Sequence, residues 1–229
     1  MFDFLFIDLD ETVLDFHAEE RVALCKTFLE LGLEPTDAVL ARYSQINREH
    51  WDRLERQEIT REQVLVGRYH QLLSEYGIDR DAVQCARTYE RNLSLSHCFL
   101  PGAEDALKAL SKKFKLYLAS NGTEYVQVGR IASAGIEPYF QEIFISQRMG
   151  ANKPSPDYFN ACFAKIPGFD VRRALMVGDS LQADIRGAKA MGMATCWVNP
   201  TGKPTTEIVP DYQIKALSEL EELLNRIDN

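Results

Sequence analysis

Five short apolar runs recur between helical patterns, and that alternation restricts the folds open to this chain. The runs are 2–8 (FDFLFID), 115–120 (KLYLAS), 142–146 (EIFIS), 174–179 (ALMVGD) and 195–199 (TCWVN). Each is nearly continuous in apolar residues, the pattern of strands covered on both faces. Helical segments at 103–113, 124–134, 155–165 and 181–191 each lead into one of the last four runs. An amphipathic helix is expected over 216–227. This β-α-β rhythm predicts a parallel sheet with helices on both sides.

Residues 16–95 break the rhythm. No strand pattern occurs there, and about four helical patterns do. The first runs from about Glu19 to Leu31 and stops at Gly32. The second starts near Thr36. The third opens with Thr60-Arg61-Glu62-Gln63, a capping box, and ends near Gly77. The fourth spans about Asp81 to Leu93. The expected class is therefore α/β, with a Rossmann-like parallel sheet core and an inserted all-helical domain. The core is assigned to 1–15 and 96–229, and the insert to 16–95.

No apolar run reaches the roughly 20 residues that cross a bilayer. The N-terminal stretch carries acids inside its apolar run and lacks a basic segment, unlike a secretory signal. A cytoplasmic protein is expected. The five scattered cysteines form no C-x-x-C pair, which points to reduced thiols and away from a zinc site. A net charge of −8 disfavours duplex nucleic acid as a partner. A small anionic substrate remains compatible if the site holds its own positive charge. Nothing in the pattern demands more than a monomer.

The strand ends carry the chemistry, because ligands of open parallel sheets bind there. The first run ends in Asp8, and Asp10 follows two residues later. The second ends in Ser120-Asn121-Gly122. The loop after the third holds Lys153. The fourth ends in Gly178-Asp179-Ser180, with Asp184 one helical turn on. Singly, each has a plainer reading: an acidic turn, a strand-to-helix turn, a solvated lysine, a capped turn. Together they bring carboxylates, a hydroxyl, an ammonium and glycines to one rim, and the site reading prevails. Crowded carboxylates such as Asp8 and Asp10 need a cation, a shared proton or hydrogen bonds to coexist.

This arrangement resembles the haloacid dehalogenase-like hydrolase superfamily. Its D-x-D-x-T/V motif matches Asp8-Leu9-Asp10-Glu11-Thr12. Its strand-end Ser or Thr matches Ser120, its Lys matches Lys153, and its G-D-x-x-x-x-D matches Gly178-Asp179 through Asp184. The helical insert falls where the family's first cap domain belongs. Many members have Gly where this chain has Glu11, and the D-E-T run resembles the pyrimidine 5'-nucleotidase subgroup.

The resemblance implies a Mg²⁺-dependent phosphomonoester hydrolase acting through an aspartyl-phosphate, with nucleoside 5'-monophosphates as the substrate class. Asp8 is then the nucleophile and Asp10 the general acid and base. Ser120, the N–H groups of Asn121 and Gly122, and Lys153 would hold the phosphoryl oxygens. Asp8, Asp179 and the backbone carbonyl of Asp10 would hold Mg²⁺. For Asp184 three roles stand: orienting Lys153, orienting a metal-bound water, or capping its helix. The insert would serve as a lid, and Phe16, Tyr43, Trp51 and Tyr69 are candidates to stack on a base, although most aromatics at helical spacing are core. A sugar-phosphate phosphatase or phosphomutase is the alternative. A haloacid dehalogenase, which needs neither Asp10 nor a metal, and an inactive binding module rank below it.

Overall fold

Phe4–Ile7 forms β1, and all four side chains are buried. Successive strand residues point to opposite faces. Leu5 and Ile7 therefore enter one core layer with Leu116, Leu118, Leu175 and Val177. Phe4 and Phe6 enter the other, with Tyr117, Phe144 and Met176. Phe6, Tyr117 and Phe144 stack with centroids 5.3–6.0 Å apart. Each such side chain contributes about 1.5–3 kcal/mol on burial, which is why a four-residue strand holds the centre of the sheet.

The structure, a computed structural model, describes residues 2–56, 58–205 and 207–227. Residues 1, 228 and 229, at the ends of the expected core, lie outside the described residues, as do 57 and 206. The remaining strands are β2 (Lys115–Ser120), β3 (Phe140–Ile145), β4 (Ala174–Gly178), β5 (Ala194–Val198) and β6 (Tyr212–Ile214). All pair in parallel, in the order β3-β2-β1-β4-β5-β6. The sequence pattern gave no sign of β6. It has three residues, includes the polar Gln213 and lies at the sheet edge, so it leaves no continuous apolar run.

The chain separates into two compact units, Met1–Phe16 with His97–Asn229, and His17–Ser96. The second contains α1 (Phe16–Glu30, from its second residue), α2 (Asp37–Glu55), α3 (Arg61–Glu75) and α4 (Ala82–Ser94). Thr36, Thr60 and Asp81 cap the last three. The box at Thr60 is complete: its N–H donates to Gln63 Oε1 at 2.8 Å, and Gln63 N–H donates back to Thr60 Oγ1. Inside this unit the Arg68 guanidinium lies among the rings of Tyr43, Tyr69 and Tyr89. Tyr43 and Tyr69 are fully buried there, so neither is presented for stacking on a base. Trp51 instead carries Arg61 over its ring at 5.5 Å.

In the first unit, α5 (Ala103–Leu110) and α6 (Glu124–Ala134) flank β2 in sequence. After β3 come α7 (Ser146–Met149) and α8 (Pro156–Phe163). A π-helical segment (Leu181–Arg186) runs into α9 (Gly187–Ala190), and α10 (Leu220–Ile227) closes the unit. The loop after β1 is pinned by the buried Leu9, Val13 and Leu14 and by Val13 and Leu14 N–H groups that both donate to Leu9 O. At its tip Glu11 has φ 56°, the single positive φ outside glycine among the described residues. A Cβ in this region costs about 1–2 kcal/mol, partly offset by the greater chain entropy that glycine loses on folding. This gives the physical reason a glycine suits this position. Glu11→Gly is expected to raise unfolding free energy by about 1 kcal/mol, and the β-branched Glu11→Val to lower it, in urea titrations.

Candidate active site

The strand order reverses direction around β1: β2 and β3 lie on one side, and β4 to β6 on the other. Ligands of such sheets bind at this switch, outside the carboxyl ends of the strands. The registers Ile7↔Leu118 and Ile7↔Val177 set three strand ends level. Asp8 then follows β1, Ser120 ends β2, and Asp179 follows β4. Asp8 N–H continues the ladder by donating to Val177 O at 2.9 Å.

Lys153 binds these ends together. Its Nζ donates to Asp8 Oδ1 at 2.6 Å, Asp184 Oδ1 at 2.6 Å and Ala119 O at 2.7 Å, which uses all three ammonium hydrogens. The side chain is 2% exposed. Burial alone would lower its pKa, but the Asp184 and Asp8 carboxylates outweigh burial and hold it above the ordinary lysine value. The Lys153 backbone is fixed in turn. Asn121 Oδ1 accepts from Lys153 N–H at 2.8 Å, and Asn121 Nδ2 donates to Lys153 O at 2.9 Å. The Asn121 side chain is therefore a staple on the lysine loop. Its own N–H is the group that the sequence reading set aside for a phosphoryl oxygen.

Asp184 sits on the π-helical segment and is 1% exposed. Its Oδ2 accepts the Ser180 N–H at 3.1 Å, while Ser180 Oγ caps the segment by accepting from Ala183 N–H. The capping side chain is thus Ser180, and Asp184 is ion-paired to Lys153. Gly178 makes this approach possible: a Cβ there would lie 2.2 Å from Asp184 Oδ2.

Asp8, Asp179 and Asp184 each offer a carboxylate oxygen within 4.8 Å of the others, so these three could hold a metal. Asp184 belongs to this cluster, where the sequence reading had left its role open, and the side chain of Asp10 does not. Three carboxylates share one ammonium. Burial first, then Asp184 and Asp10, push Asp8 up to about 8 against the pull of Lys153. Burial, with Asp8, Asp184 and Glu11, pushes Asp179 well above the carboxylate range. Like charges held in a low-dielectric site favour the neutral acid unless a cation enters.

Asp10 is held elsewhere. Its Oδ2 accepts from Gln127 Nε2 at 2.7 Å, and its Oδ1 accepts from Arg130 Nη1. Gln127 Nε2 also lies 2.9 Å from Ser120 Oγ, and that hydroxyl accepts the Gly122 N–H at 3.0 Å. Gly122 is required here as well, since a Cβ would lie 2.2 Å from Gln127 Nε2. The Gly122 N–H is thus turned onto Ser120 rather than outward. Sequence reasoning passed over Gln127 and Arg130. The available signal was two polar residues three apart, on the α6 stripe that also buries Val126 and Ile131.

Comparison with known proteins gives one consistent family. The model of the haloacid dehalogenase-like hydrolases matches residues 2–192. The chain is 39% identical to the HAD-hydrolase YfnB of Bacillus subtilis over 96% of its own length and 94% of that protein. It is 34% identical to the pyrimidine 5'-nucleotidase PynA of Streptococcus pneumoniae, over 98% and 96%. It is 30% identical to the pyrimidine 5'-nucleotidase YjjG of Escherichia coli, over 97% of each. The crystal structure of YfnB bound to magnesium superposes with a TM-score of 0.93, covering 98% of this chain and 99% of that one.

The contact at Gly178 generates a direct test. Gly178→Ala is expected to displace Asp184 from Lys153 and to cost about 1–3 kcal/mol of unfolding free energy, measured by chemical denaturation.

Proposed function

The chain belongs to the haloacid dehalogenase-like hydrolase family, and from that premise we propose that it is a Mg²⁺-dependent phosphatase of nucleoside 5'-monophosphates. The observation that carries the reading is the pairing of two carboxylates with different surroundings. Asp8 sits in the acidic cluster beside Lys153, and Asp10 sits outside it, on Gln127 and Arg130. Two acids in separate environments can take two roles.

The donor set suits Mg²⁺. Three carboxylate groups supply hard oxygen ligands, and three negative charges against one ammonium leave an excess equal to one divalent cation. Asp8, Asp179 and Asp184 are the side chains that would hold it or its waters, with the backbone carbonyl of Asp10 as the family resemblance implies. When bound, the cation neutralises charge so that an anionic phosphoryl group can approach a carboxylate.

The protein's own groups carry the steps. An Asp8 carboxylate oxygen forms a bond to phosphorus as the bond from phosphorus to the leaving oxygen breaks. Asp10 acts as the general acid and gives a proton to that leaving oxygen. Its carboxylate then takes a proton from water, whose oxygen attacks phosphorus and releases Asp8 and inorganic phosphate. Lys153 and Ser120 border the phosphoryl position, and Lys153 fixes the rotamer of Asp8 by holding one of its oxygens. The substrate class rests on the likeness to the two pyrimidine 5'-nucleotidases over nearly the whole chain.

Asp8→Asn is expected to lower turnover of an aryl phosphate by about 10³-fold or more while leaving the circular dichroism unchanged. Retained turnover would remove the nucleophile assignment. A screen of nucleotides against sugar phosphates tests the substrate class, and a clear preference for sugar phosphates would overturn it.

The metal reading has a signature that needs no substrate. The raised Asp8 pKa stabilises the folded chain fully below its unfolded value of 3.8, and this stabilisation is lost as pH rises through about 8. Mg²⁺ requires the ionised ligands and relieves their repulsion. The Mg²⁺-induced rise in melting temperature is therefore expected to be larger above about pH 8 than well below it. A shift that shrinks with rising pH would exclude metal binding at this cluster.

A further inference from the structure

The clamp on Asp10 does more than tie α6 to the loop after β1. We propose that Arg130 and Gln127 are positioning residues that aim the Asp10 carboxylate at the leaving oxygen, a role that rests on the phosphatase reading above. Both oxygens of Asp10 are engaged, one by each residue, which fixes the carboxylate plane from two points. Arg130 and Gln127 lie three residues apart on α6, so one helix face delivers both donors.

The cost of the arrangement argues against a mere tether. Arg130 is fully buried, and its guanidinium rests on the Phe16 ring at 5.6 Å. Burying a guanidinium is expensive, and an apolar contact would hold a helix to a loop at least as well. The carboxylate it pairs with is different: the Asp10 side chain stays 31% exposed. Each of its oxygens accepts from a buried donor, yet part of its surface stays open, as a group that exchanges protons with a substrate requires. Gln127 is itself 1% exposed and oriented by Arg130, whose Nη1 donates to Gln127 Oε1 at 2.8 Å. The same amide nitrogen reaches Ser120 Oγ, so the groups at Asp10 and Ser120 share one fixed reference.

A misaligned acid harms substrates in proportion to how much their leaving group needs a proton. A ribose 5'-oxygen needs one, and a nitrophenolate leaves without it. In Arg130→Lys, kcat/KM for uridine 5'-monophosphate, or for a sugar phosphate if the screen favours one, is expected to fall about tenfold or more. The fall for p-nitrophenyl phosphate is expected to be several-fold smaller. In the Asp10→Asn background the same substitution should add little further loss, because Arg130 acts through Asp10. Gln127→Met, of similar volume, makes the same test if Arg130→Lys fails to fold. Equal losses on both leaving groups, or full additivity with Asp10→Asn, would overturn the positioning role. Asp8→Asn run in parallel separates the two ideas: turnover persisting there overturns the aspartyl-phosphate reading, whereas Asp8-dependent turnover with equal losses overturns the clamp alone.

Discussion

One buried ammonium organises this protein's rim. Lys153 Nζ takes oxygens from three separate places in the chain: Asp8 after β1, Ala119 within β2 and Asp184 after β4. These segments are distant in sequence and adjacent in the sheet. A buried lysine with three short hydrogen bonds cannot shift without leaving a charge or a carbonyl unpaired, and such losses cost several kcal/mol. Three further residues at the rim serve this arrangement. Asn121 exists there to hold the lysine's backbone, Gly178 to let Asp184 reach it, and Ser180 to start the segment that carries Asp184.

The same ammonium leaves a deficit. It offsets one negative charge of three, and burial makes the remainder costly, which is visible in the upward displacement of Asp8 and Asp179. The site therefore favours either protons or a divalent cation, and pH decides between them. Asp10 lies outside this cluster. It faces α6, where Arg130 and Gln127 bond both its oxygens, so the two aspartates of one short motif have different partners.

Legibility in the sequence followed the range of the interactions. The strands at the sheet centre could be read because both faces are buried, and Phe4–Ile7 shows this as an unbroken apolar run. The edge strand Tyr212–Ile214 could not, since an edge needs neither length nor apolar continuity. Asp8, Ser120, Lys153 and Asp179 were legible as strand-end residues in a known order. Arg130 and Gln127 were not, because their importance lies in a contact of 117–120 residues' separation with Asp10. Tyr43 and Tyr69 are core, the plainer of their two readings; spacing alone does not separate a buried aromatic from a ligand-facing one.

By itself the sequence determined the class of fold and the order of the chemistry-bearing residues, and its resemblance to a known family added the expectation of a phosphoryl-transfer site. Strand periodicity, turn chemistry and motif spacing are local properties written into consecutive residues. Only the tertiary structure decided which carboxylates lie close enough together to hold a cation and which one stands apart. It put Asp184 beside Asp8 and Asp179 and turned the Asp10 side chain toward α6. That choice depends on where side chains from different strands and helices meet, and a distance across the sheet has no local signature in the chain.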